Sequence, residues 1–546
     1  MVRFIKPLKA KLLGRRKGKR RGKHPTNRPN EGGLAGATWK DQVLSANLET
    51  NLRQIKTVLD KCSDVVYREF VFAQNEQIRV ALVYMDGLTD KNQVGEQIMR
   101  ALALEVPMAV PGQEITKAHA LEFIKRRGLC IHQIKETGKL KDVIHAILSG
   151  DTVLLVDGHA TAIINRARGW EARSISEPET ESAVRGARDS FVESLRVNTS
   201  LIRRRIKSPH LKIETLRLGE VTATDIAIAY IEGIVNAKLV TEVKSRLERI
   251  RVDAVLESGY VEELIEDNPW SPFPTVNHTE RPDRVAAMLL EGRVAILVDG
   301  TPFVLTVPNL FVEYLQVPED YYERFLFASA VRALRFLSMI ISLTLPSLYI
   351  AVLSFHHELL PTPLLLSIAA QHEAVPFPVF VEVLLMELSF EILREAGLRL
   401  PRPLGQAVSI VGALVIGEAA VRAGLVAAAT VIVVALTGIA SFTFTYSFSI
   451  AFRLLRFTLM VLSATLGLFG LIIGMAIMGI HLCTLRSFGV PYLSPVVPTT
   501  GVDLKDAVFR APWWAMFTRP RLIAREEQKR QEQGLKPTAP ETRPER

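Results

Sequence analysis

Four windows in the last two-fifths of the chain carry no Asp, Glu, Lys or Arg: 336–355, 403–417, 425–452 and 457–485. Crossing the hydrocarbon core of a bilayer takes ~20 mostly apolar residues in a helix. Three windows meet that length, and the second meets it if Glu418 sits at an interface. Hydrocarbon leaves no water to satisfy backbone amides, so such segments must be helical. The spacing predicts an all-α membrane domain of about five spans over 325–495, ending in a polar tail, 496–546.

The residues before it read as water-soluble α/β structure. A basic arm, 1–37, is followed by two related lobes, 38–185 and 186–310. The chain has 546 residues and a net charge of +10, and its first thirty residues hold twelve Lys or Arg and no acid, so the rest sums to −2. Such a block is normally solvated and can touch anionic lipid. It has no interleaved aromatics, which argues against nucleic acid. Three distant cysteines, Cys62, Cys130 and Cys483, offer neither a disulfide framework nor a metal pattern. No phosphate loop, dinucleotide fingerprint or nucleophile elbow is present, so no enzyme, cofactor or metal is expected.

Within the lobes, β-rich runs end in Asp86-Gly87, Asp157-Gly158 and Asp299-Gly300. Asp-Gly between apolar runs signals a hairpin, with return strands at Ala160–Ile164 and Phe303–Val307. The strings Val-Leu-Leu-Val-Asp-Gly (153–158) and Ala-Ile-Leu-Val-Asp-Gly (295–300) suggest a duplicated unit. Ile226–Ala237 and Leu239–Leu256 read as helices.

In the membrane half, residues 379–396 are apolar yet hold Glu382, Glu387, Glu391, Arg394 and Glu395. At about 100° per residue, Glu387, Glu391 and Glu395 form one stripe. Arg394 lies beside it and Glu382 opposite. Carboxylates in hydrocarbon face water, protein or a counter-charge, and acidic rings from several subunits build cation pathways. Glu382, Glu387, Glu391 and Ser389 are therefore pore-lining candidates, against a reading in which this is a peripheral amphipathic helix or its acids pair with Arg394, Arg399 or Arg402. Glu418, Arg422 and Arg394 are ion-pair candidates. Five crossings put the basic tail on the side opposite the basic arm, at odds with the positive-inside pattern.

Several long strings resemble the A-subunit family of bacterial spore germinant receptors, the GerA family. Among them are Val298-Asp299-Gly300-Thr301-Pro302, Pro318-Glu319-Asp320-Tyr321-Tyr322-Glu323-Arg324 and Phe390-Glu391-Ile392-Leu393-Arg394-Glu395-Ala396-Gly397. Leu485-Arg486-Ser487-Phe488-Gly489-Val490-Pro491-Tyr492 adds to them. The likeness covers roughly 60–500, with one departure: no proline stands in Ser441–Tyr446. The resemblance implies a multi-pass subunit of the spore inner membrane with its soluble lobes facing the core. Its partners would be a transporter-like B subunit and a lipoprotein C subunit. Copies would form a ring, a pentamer, passing monovalent cations when nutrient binds. A non-conducting scaffold, or a sister-group subunit of dipicolinate-channel assemblies, is the alternative.

Overall fold

The computed structural model describes residues 38–72, 78–100, 121, 124, 134–169, 178, 181, 183–399, 417–524 and 526–538. The basic arm, Cys130, Arg402 and the window 403–416 lie outside the described residues.

Two five-stranded sheets share one plan. The first lobe runs α1 (Leu48–Val58), β1 (Val65–Phe72), β2 (Ile78–Met85), β3 (Ile134–Thr137), α2 (Leu140–Leu148), β4 (Thr152–Val156) and β5 (Ala162–Asn165). The second runs α3 (Leu195–Arg205), β6 (Leu211–Leu218), β7 (Thr224–Ile231), α4 (Ala237–Glu248), α5 (Ser258–Ile265), β8 (Asn277–Thr279), α6 (Pro282–Leu290), β9 (Val294–Val298) and β10 (Val304–Val307). Their sheet orders, β1-β2-β4-β5-β3 and β6-β7-β9-β10-β8, match position for position.

The repeated Asp-Gly does the same work in both lobes. Asp157 Oδ1 accepts from the Leu48 amide at 3.3 Å, and Asp299 Oδ1 from the Leu195 amide at 2.9 Å. Each carboxylate satisfies a donor left open at a helix start. The next glycine amides donate to Ala46 O and Glu193 O, both at 2.8 Å. The two lobes are joined by Arg203, whose buried guanidinium grips Asp64 in a fork at 2.7 and 3.0 Å.

Three expectations for the lobes need correction. The helix expected at Ile226–Ala237 is strand β7, buried along Ile226–Ile231. A strand covered on both faces loses its alternation and reads as a plain apolar run. The helix expected at Leu239–Leu256 is the shorter α4. Asp86-Gly87 does not close a hairpin, because β2 pairs with β1 and β4. The other two Asp-Gly pairs do open β4–β5 and β9–β10 hairpins.

Beyond the lobes come α7 (Phe325–Phe355), α8 (Thr362–His372), α9 (Val379–Arg399), α10 (Gly417–Arg422), α11 (Ala428–Ser441) and α12 (Tyr446–Thr484). Among the described residues, two helices are long and apolar enough to cross a bilayer, α7 and the stretch Ser447–Thr484, against the five spans expected of the whole domain. The acids of α9 and the 14-residue length of α11 keep those two below that mark.

The second of the two is itself a hairpin. Gly467 breaks α12 with φ 63° and ψ −142°, a region open essentially to glycine alone. A Cβ on Gly470 would lie 2.1 Å from Leu462 O, and one on Gly474 2.4 Å from the Leu459 side chain. The arms 446–466 and 468–484 therefore run back to back. The tip at Gly467 meets Phe355 and His356 at the end of α7. At the open end, Phe448, Phe452 and His481 gather around Phe273 of lobe 2. Tyr314 stacks on Phe448 at 4.8 Å.

Both ends of the helical half thus return to the lobes. The C-terminal segment continues onto lobe 2: Ala524 is buried in its core, and Arg519 Nε donates to Leu290 O at 2.8 Å. Arg530 meets Glu291 at 2.7 Å. The start of α7 is clamped by the same segment, with Arg332 bound to Asp320 and to Asp506 at 3.1 and 2.8 Å. The described part of the basic tail therefore packs at the lobe end of the helical half.

Candidate functional site

Helix α9 carries its acids inward. Glu387 is fully buried and faces Arg456, on the first arm of α12, at 3.1 Å; neither side chain touches solvent. One turn on, Glu391 receives three guanidiniums. Arg456 lies at 3.3 Å, Arg394 at 3.4 Å, and Arg453 grips it most closely. Arg394 donates to Ser441 Oγ of α11 at 2.9 Å and sits between the Phe390 and Phe442 rings, 4.9 Å from each.

Toward the far end of α9, Glu382 is also fully buried. It meets His372 Nδ1 of α8 at 3.1 Å and accepts from the Ala427 amide, where α11 begins. His372 Nε2 lies 3.2 Å from the Tyr349 hydroxyl, itself 3.2 Å from Thr430 Oγ1. One carboxylate thus ties α8, α9 and α11 together, and two others tie α9 to α12.

Charges are tolerated in so dry a place only in pairs or with a full complement of hydrogen bonds. Three guanidiniums against two carboxylates leave one positive charge unmatched in the Glu387–Glu391 cluster. The predicted stripe is real as a geometric feature, but its Glu387 and Glu391 members point into the protomer. The pairing of Glu391 with Arg394 is present. Arg399 pairs with Glu395, as that reading also allowed, at an exposed 2.7 Å.

Ser389 bonds its own helix, Oγ to Leu385 O at 2.8 Å, on the outer side. Glu418 and Arg422 form an exposed i,i+4 pair at 2.6 Å, the kind that contributes little. Arg453, Arg456 and His372 were not among the predicted site residues. Arg453 and Arg456 interrupt two charge-free windows three residues apart, and that spacing on one helix face was the available signal. Among the described residues no group of three His, Cys, Asp or Glu side chains is placed to hold a metal.

Paired α/β lobes thus sit on a bundle whose described helices include two long and apolar enough to cross a membrane, with an acid–arginine cluster buried among them. The chain belongs to the GerA family: the model of the Bacillus/Clostridium GerA spore germination protein matches residues 53–522. It is 48% identical to spore germination protein KA of Bacillus subtilis (strain 168), covering 91% of this chain and 90% of that one. Spore germination protein GerLA of Bacillus cereus is 40% identical over 88% of this chain and 96% of its own. Stage V sporulation protein AF of Bacillus subtilis is 32% identical, covering 84% and 91%. The crystal structure of the N-terminal domain of the A subunit of the Bacillus megaterium spore germinant receptor GerK3 matches 50% of this chain and 98% of its own, at 36% identity and a TM-score of 0.40.

Proposed function

We propose that this chain is the A subunit of a spore germinant receptor. With a transporter-like B subunit and a lipoprotein C subunit it answers nutrient by opening a path for monovalent cations across the spore inner membrane. Its lobes face the core, and copies assemble as a ring, a pentamer. Family membership across 53–522 supports the germination role. The observation that carries the cation path is the acidic helix α9. Two fully buried carboxylates on one apolar helix, Glu382 and Glu387, and a third, Glu391, only 14% exposed, are costly, and a pathway for cations gives them a use.

In a single copy those carboxylates are locked to arginines and His372. Opening therefore requires that Glu387 or Glu391 exchange an arginine for water. The outward face of α9, with Leu385, Leu388 and Ile392 exposed, supplies an apolar surface for neighbouring copies. One observation favours a second reading, a non-conducting scaffold: Glu382 and Glu387 are dry and face inward. The higher identity to spore germination protein KA than to stage V sporulation protein AF supports the germination role.

The test is cation release from dormant spores that lack this chain. Loss of release to at least one nutrient, restored by re-expression, is expected. Spores that respond normally to every nutrient overturn the reading.

A further inference from the structure

A cavity of about 750 Å³ lies where lobe 2 meets the helical bundle, lined by His278, Thr279, Arg394, Ser441, Thr445 and Ser447 among others. Its wall holds four arginines. Arg281 and Arg284 are each bound to a carboxylate, Asp283 at 2.8 Å and Glu181 at 2.5 Å, and Arg335 shares Asp320 with Arg332 alone, at 2.8 Å. Glu319, the remaining acid in the wall, accepts from the Val184 and Arg185 amides.

Arg394 is different. Its side chain is 8% exposed, and it shares Glu391 with two other arginines, at the longest distance of the three. Its Nε is buried without a partner. It is the member of the wall whose charge is least answered.

The second feature is the start of α12. The first N–H groups of a helix have no partner within it, and together with the helix dipole they favour an anion. Here no side chain caps them, and the Thr445 hydroxyl donates to Tyr314 O at 3.3 Å instead. Thr445, Ser447 and Ser449 place that helix start in the same wall as Arg394.

We propose that this cavity binds a phosphate-type oxyanion between Arg394 and the first turn of α12. The hydroxyl of Ser447 is positioned as a further donor, already within 2.8 Å of His278 Nε2, while that of Ser441 donates to Gly438 O at 2.6 Å and holds Arg394 in place. A phosphodiester of an anionic lipid or a free phosphate has this chemistry. The site lies at the boundary of lobe and bundle, where basic pockets between membrane helices take lipid headgroups.

The experiment uses the full chain in detergent micelles. Phosphatidylglycerol, phosphatidylcholine and inorganic phosphate are added separately, with bound lipid read by native mass spectrometry and the melting temperature by thermal unfolding. Phosphatidylglycerol, and not phosphatidylcholine, is expected to stay bound and raise the melting temperature. Arg394→Gln should weaken that binding ~tenfold or more, the loss of one charge-assisted hydrogen bond. Ser447→Asp places a carboxylate in the first turn, which suits the helix and fills the site, so it should fold and bind nothing. If inorganic phosphate alone gives the stabilisation, and both variants abolish it, the ligand is a soluble phosphate. Absence of any effect in the wild-type chain, or equal effects in wild type and Ser447→Asp, overturns the proposal.

Discussion

Glu387 and Arg456 face each other at 3.1 Å with no solvent on either side chain, one on α9 and the other on the first arm of α12. Removing a single partner leaves an uncompensated buried charge, whereas replacing both with apolar residues removes the burden altogether. Glu387→Leu and Arg456→Leu should each destabilise the chain by ~3–5 kcal/mol. The double variant should recover most of that loss. Thermal unfolding of the two singles and the double, as a cycle, gives the coupling. Additive losses would show that the pair does not bind α9 to α12.

The hairpin depends on Gly467. Any Cβ there meets His356 Cε1 at 2.8 Å and Phe355 at 3.1 Å, on top of the unfavourable backbone angles. Gly467→Ala should cost ~1–3 kcal/mol. Gly479, where a Cβ would meet nothing within 4 Å, serves as the control, and its alanine variant should unfold at the wild-type temperature.

His278 couples lobe 2 to the open end of α12 through Ser447. Burial disfavours its charge, but the Glu262 carboxylate at 3.3 Å outweighs that, helped by Glu181 and opposed by Arg284, so its pKa is raised. A raised folded-state pKa contributes stability fully below the unfolded value of ~6.5 and loses it as pH climbs through the folded value. The melting temperature should fall as pH rises from ~6.5 through the folded value and level off beyond it. His278→Gln should flatten the slope, and an unchanged slope would remove His278 as its source.

Because both lobes and the C-terminal segment sit at one end of the bundle, they should share one side of the membrane. Single cysteines at Val221 and Gly534, both outside the helical half, replace the native thiols as reporters. An impermeant thiol reagent applied to sealed vesicles should label both or neither. Labelling of only one would require an odd number of crossings.

Much of this was legible in the sequence. The charge-free windows announce apolar helices, and two similar Asp-Gly strings announce two lobes of one plan, because an Asp that caps a helix from across a hairpin must sit at the same place in each. The acidic stripe of α9 is also visible as a periodicity. What it faces is not, since Arg453 and Arg456 lie more than sixty residues away on a helix whose reversal rests on one glycine. A charge count along the chain treats those arginines as markers of a membrane face. Only packing turns them into partners. Strand β7 escaped for a related reason: burial on both faces erases the period that separates strand from helix.

The account rests on the α9 carboxylates serving cations. Its most direct test is nutrient-triggered release of monovalent cations from spores carrying Glu387→Gln or Glu391→Gln in this chain. A changed rate or ion selectivity in at least one variant is the predicted result. Wild-type rate and selectivity in both, with normal amounts of the protein present, would contradict it.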